Sequence, residues 1–171
     1  MELSLEIKNI NNLSINIFEI NPESYYRKNL KELEPSIELG GLLPSKQINR
    51  EFKQPPIIKF QETFKFEDIT ARDRGIFVIE FIGGGLSSRV MVRKGSLTLV
   101  TQETKAGLVV YVVNEEKKVC IGKDTGLLID GKLRKVDDEG KILIPYQQSA
   151  TTSTAIIIDN DYSELVHLSI P

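Results

Sequence analysis

The feature that most constrains this chain is a two-residue rhythm of apolar side chains, interrupted by turn residues at short intervals. In "LSINIFEI" the side chains of Leu13, Ile15 and Ile17 share one face, and near the start Leu3, Leu5 and Ile7 do the same. A period of two marks a half-buried strand, because a helix would scatter such a stripe around its axis. From Gly75 onward the rhythm is sustained. "GIFVIEFI", "SSRVMVRKG" and "SLTLVTQET" read as a three-strand meander, and "GLVVYVVNE", "GLLIDGKLRKVDDEGKILIPY", "TAIIIDND" and "ELVHLSI" follow as further short strands. Turn signals about every eight to twelve residues are what a small antiparallel sandwich requires.

Two segments break the rhythm. "PESYYRKNLKELEP" reads as a short helix: Asn21 caps it, Pro22 suits its first turn, Tyr26, Leu30 and Leu33 share a face, and Pro35 ends it. Residues 35–70, broken by Gly40-Gly41, Pro44 and Pro55-Pro56, read as a long irregular connection with one strand, "IIKFQETFKF", near its end. The polar stretch "TQETKAG", residues 101–107, is read as the join between two domains, residues 1–104 and 105–171. The expected fold is all-β, with two tandem antiparallel β-sandwiches, the first carrying the short helix and the long connection.

The glycine triplet in "FVIEFIGGGLSSRVMVRKGS" raises the question of phosphate binding. A Walker loop needs a second glycine followed by Lys and Ser or Thr, then a helix whose N-terminus faces the phosphate. Here Gly83-Gly84-Gly85 runs into Leu86-Ser87-Ser88-Arg89 and another alternating strand, while Gly122-Lys123 continues with Asp124 and Gly131-Lys132 with Leu133. The triplet is therefore expected to turn a hairpin.

Other reactive groups form no constellation. Cys120 is the single cysteine, so neither an intrachain disulfide nor a thiolate zinc cluster can form, and it reads as a small apolar filler in a strand. His167 is the single histidine; it alternates with Val166 and Leu168 and is expected to face solvent or the partner domain. Asp137, Asp138 and Glu139 precede Gly140 as hairpin turns do. Asp159, Asp161 and Ser163 begin like a calcium loop but lack its sixth-position glycine and twelfth-position glutamate. Arg89, Arg93 and Lys94, with Arg72 and Arg74 upstream, make a modest basic group; Arg89 and Arg93 share a strand face that could bind an anionic partner, and a solvated sheet face paired with acids is the commoner outcome. Asn12 begins an Asn-x-Ser triplet inside an expected strand. A net charge of −2 argues against nucleic acid. No catalytic, cofactor-binding or metal-binding residue is assigned, and no cofactor is expected.

The order "NLSINIFEIN", "SYYRKNL", "IELGGLLPS", "RDRGIFVIEFIGGGLSSRVMVRKGSL", "GLVVYVVNEEKKV" and "LLIDGKLRKVDDEGKILIPY" resembles consecutive macroglobulin-like domains of the alpha-2-macroglobulin superfamily. The resemblance implies seven-stranded, immunoglobulin-like sandwiches linked in series within a larger exported protein, secreted, periplasmic or on the cell surface, of a family in which many members trap or inhibit proteases. The Cys-Gly-Glu-Gln thioester motif of that family is absent, since Cys120 lies in "KVCIGK". The start, "MELSLEIKNI", has no basic end or apolar core of a leader and reads as a strand, as in a piece of a longer chain. No apolar run is long enough to span a membrane.

The function expected is a non-catalytic scaffold and protein-interaction segment, monomeric as a fragment. Its partners are neighbouring domains of a larger chain and, by the resemblance, proteases. The alternative is an adhesin or carbohydrate-binding module, which would need exposed aromatics among Tyr25, Tyr26, Tyr111, Tyr146 and Tyr162.

Overall fold

The computed structural model describes residues 1–171. The chain opens with β1 (Glu2–Lys8) and β2 (Asn12–Ile20), then α1 (Pro22–Asn29), β3 (Lys46–Glu51), β4 (Lys59–Lys65) and a single helical turn, α2 (Glu67–Thr70). Strands β5 (Gly75–Gly83) and β6 (Leu86–Lys94) follow, then β7 (Thr98–Thr104), β8 (Gly107–Val113), β9 (Thr125–Ile129), β10 (Lys132–Lys135), β11 (Lys141–Ile144), β12 (Thr151–Asp159) and β13 (Tyr162–Ile170). The all-β expectation holds. No helix is long and apolar enough to cross a membrane.

Two compact units emerge. The first comprises Met1–Ile20 and Glu34–Lys94, the second Asn21–Leu33 and Gly95–Pro171. This differs from a join within residues 101–107 in two respects. Those polar residues form the tip of the β7–β8 hairpin, where Thr104 pairs with Gly107. They look like a linker because β7 is a largely exposed edge strand. The meander is also cut, because β6 pairs with β5 whereas β7 pairs with β8 in another sheet.

The first unit stacks the sheet β3-β2-β5-β6 against the ribbon β1-β4, all antiparallel. Leu13, Ile15 and Ile17 of β2 and Phe77, Ile79 and Phe81 of β5 meet Ile7, Phe64, Phe66 and Ile69 in the core. The alternation seen in the sequence is this face. The connection 35–70 is more ordered than its glycines and prolines suggest, since it contains β3 and α2 as well as β4. Strand β3 escaped the period-two test because it is an edge whose one half-buried residue is Ile48.

The second unit is a seven-stranded sandwich of β10-β9-β12-β13 against β11-β8-β7. Of the alternate residues Leu108, Val110 and Val112, the first two pair in register with Ile144 and Ile142, and on the facing sheet Leu127 and Ile129 pair with Ile157 and Ala155. All of these are buried. The fourth strand, β10, pairs with β9 and not with β11, so it lies in the other sheet from the fourth strand of a constant-type immunoglobulin domain.

Helix α1 belongs to this second unit, although it lies in the chain between β2 and β3. It packs on β13 and β12, where Ile156, Ile158, Ser163 and Leu165 would otherwise face water. Its start follows the sequence reading. The Asn21 side chain accepts the Ser24 amide at 3.0 Å, and Pro22 occupies the first turn. The end differs, because Leu30 takes a left-handed conformation (φ 48°) and closes the helix well before Pro35. Leu30 is therefore 60% exposed, while Tyr26 and Leu33 are buried. Replacing Asn21 by alanine leaves the first-turn amides uncapped and is expected to cost about 1 kcal/mol, measured as a lower urea midpoint of the second unit.

Candidate interaction surfaces

The glycine triplet turns a hairpin. Gly83 pairs with Leu86, and the two residues between them, Gly84 and Gly85, have φ of 57° and 76°. Two consecutive left-handed residues make the type I′ loop that matches strand twist, and glycine reaches it without Cβ strain. Strand β6 begins at once, so no helix N-terminus stands over the loop.

The basic residues of β6 and of the segment before β5 are engaged internally. Arg89 faces Glu80 across the strands, with Nε 2.7 Å from the carboxylate, and its guanidinium also donates to the Ile37 carbonyl at 2.9 Å. That second bond ties the segment after Glu34 to the sheet. Arg72 pairs with Glu19 at 2.7 Å and lies over the Phe77 ring at 5.8 Å. Lys94 donates to the carbonyls of Ile69, Thr70 and Arg72, closing the C-terminal end of α2. A lysine there satisfies carbonyls that the helix cannot.

The acidic candidates serve local structure too. One Asp137 oxygen accepts the amides of Glu139 (2.9 Å) and Lys141 (2.8 Å), an Asx turn closed by Gly140. Glu139 beside Lys141 raises that ammonium above its ordinary value. Asp159 is buried and accepts the Thr125 hydroxyl at 2.5 Å, whereas Asp161 is exposed, so they do not share a ligand sphere. No group of three His, Cys, Asp or Glu side chains gathers at metal-holding distance. His167 is exposed on β13, its Nδ1 3.2 Å from the Thr154 hydroxyl opposite. Cys120 is buried and its amide donates to the Val112 carbonyl, outside any regular strand. Asn12 is the first residue of β2.

The tyrosines do not form a platform. Tyr26 and Tyr162 are buried, Tyr25 and Tyr111 are half-buried, and Tyr146 is exposed. The single hydroxyl proton of Tyr162 is shared between the Gly95 carbonyl at 3.2 Å and the Glu164 carboxylate at 3.1 Å.

Sequence reasoning missed two clefts beside α1. One, of about 390 Å³, is lined by Arg27, Leu30, Leu128, Asp130, Thr154 and Ile156. The other, of about 220 Å³, includes Glu23, Asp124, Leu133, Lys135, Ile158 and Asn160. They exist because α1 covers β12 and β13 and leaves the β9–β10 side open. The signal was "TAIIID", whose residues Ala155–Ile158 are all buried. A continuous apolar run calls for cover on both faces of a sheet, and the core supplies only one.

These features define two β-sandwich units whose polar side chains chiefly hold turns and edges. The fold agrees with the crystal structure of native alpha-2-macroglobulin from Escherichia coli spanning domains MG0-NIE-MG1. That match has a TM-score of 0.50 and 14% identity over 98% of this chain and 58% of that one. The shorter NIE-MG1 structure of the same protein gives a TM-score of 0.49 and 13% identity over 97% and 88% of the two chains. In sequence, residues 13–95 match the family model described as the AbpF first immunoglobulin-like domain. Actin-binding protein F from Dictyostelium discoideum is 35% identical over 153 residues, 89% of this chain. The match spans 6% of that relative's length.

Proposed function

We propose that this chain is a non-catalytic segment of a much longer modular protein, acting as a spacer and as a surface for protein partners, with filamentous actin as the partner to test first. The observation that carries this reading is the 35% identity that runs through both units yet occupies 6% of a relative named for binding actin. The reactive side chains support it, since Asp137, Asp159 and Arg89 are committed to turns, a buried hydroxyl and an ion pair. An exported, protease-inhibiting parent has likeness of fold behind it, at 14% identity. The actin-binding parent has sequence identity behind it, which is the stronger support, and it favours a cytoplasmic setting. A single buried, unbridged cysteine is compatible with a reducing compartment.

Residues 1–171 are expected to co-sediment saturably with filamentous actin. Pelleting no greater than that of an unrelated sandwich of similar charge would remove actin as the partner of this segment. Hydrolytic turnover abolished by one substitution would overturn the non-catalytic reading.

A further inference from the structure

One end of the first unit gathers the loop between β1 and β2, the segment between β3 and β4, and the β5–β6 hairpin. The register places them together: Lys8 pairs with Lys59, Asn12 with Glu51, Ser14 with Ile82, and Gly83 with Leu86. Met1 and Lys94 lie at the opposite end, where both reach Thr70. This pole presents apolar side chains to water: Ile57 is 82% exposed, Leu86 74%, Ile58 44% and Ile82 39%. Isolated exposed apolar residues are ordinary, but four on neighbouring tips of one end are not.

The surrounding charge is one-sided. Lys8, Arg50, Lys53 and Lys59 stand there against Glu51 and Glu6, the last paired with Lys59 at 2.6 Å, in a chain whose net charge is −2. The tips are also braced. A Cβ on Gly83 would meet the Ile10 side chain at 2.8 Å and the Asn12 carbonyl at 3.0 Å, so the hairpin lies directly on the β1–β2 loop. Behind it the Phe52 and Phe60 rings pack edge to face, centroids 5.3 Å apart. Apolar anchors held in place before binding, inside a basic rim, suit an acidic protein surface with an apolar centre.

We propose that this pole is the docking surface of the first unit and that its occupant is an acidic face of filamentous actin; the assignment rests on the reading given under Proposed function. Leu86 and Ile57 enter the contact as anchors, and Lys53 with Arg50 steers the approach and sets its salt dependence.

The test is co-sedimentation of the full chain with filamentous actin, in parallel with flotation on phosphatidylserine–phosphatidylcholine vesicles. The double variant Ile57→Ser/Leu86→Ser is expected to weaken actin binding at least about tenfold. Lys53→Glu should weaken binding and flatten its dependence on salt. Leu43→Ser, which alters a 90% exposed side chain outside the pole, should change neither. If the wild-type chain pellets and the pole variants pellet equally well, the pole assignment fails while the actin reading stands. Failure of the wild-type chain to pellet removes both. Vesicle binding that the double variant loses would reassign the pole to a lipid surface and overturn the proposal.

Discussion

Replacing Tyr26 with alanine is expected to loosen the second unit and leave the first intact, although residue 26 lies in the chain between two strands of the first. The tyrosine is fully buried on α1, and α1 packs on β12 and β13. Removing a buried aromatic side chain costs about 3–5 kcal/mol, a large share of the roughly 5–15 kcal/mol that holds a domain folded. With the ring gone, the helix loses its main buried anchor and the outer faces of Ile156, Ile158 and Leu165 gain access to water. Amide exchange locates the effect. Protection should fall at β12 and β13 and persist at β2 and β5. Loss confined to β2 and β5 would mean that the helix serves the first unit instead. Tyr26→Phe keeps the ring and should cost far less.

Gly107→Ala should be comparably severe for a different reason. Gly107 opens β8 at a φ of 145°, a backbone conformation that residues with a Cβ rarely adopt. A Cβ there would also press on backbone: the Ile144 carbonyl is nearest, with the Ile144 carbonyl carbon and the Pro145 Cα at 3.0 Å. Backbone of a neighbouring strand cannot rotate aside as a side chain can, so β8 and β11 must separate. Strain and overpacking together are expected to cost roughly 2–5 kcal/mol, read as a lowered denaturant midpoint. A variant as stable as wild type would show that the β8–β11 pairing is looser than its register implies. Both substitutions act on the second unit through contacts distant in sequence.

The contrast between these two sites shows what could be read beforehand. The sequence puts Tyr26 on a helical face and Asn21 at its cap, because capping and period are local properties of a few consecutive residues. Where that face would be buried was not local: β12 and β13 lie more than a hundred residues downstream. Strand β3 carries no such signal, because an edge strand such as "KQINRE" has no apolar alternation to display. The polar 101–107 stretch looked like a linker for the same reason, since an exposed hairpin tip and a linker share a composition. The hairpin at Gly84-Gly85 was legible because its turn chemistry is fixed by the residues themselves. The pole that the hairpin shares with Ile57 and Lys53 was not, since it depends on three separate loops arriving at one end.

From its residues alone this chain was committed to strands, tight turns and one capped helix, because φ/ψ preference and side-chain period act over a handful of neighbours. Pairing was decided elsewhere. That β1 meets β4, that β10 joins β9, and that α1 crosses into the second unit to cover Ile156 and Leu165 follow from which apolar faces exclude the most water once the whole chain has collapsed. That selection compares surfaces from opposite ends of the chain, and no local stretch contains it.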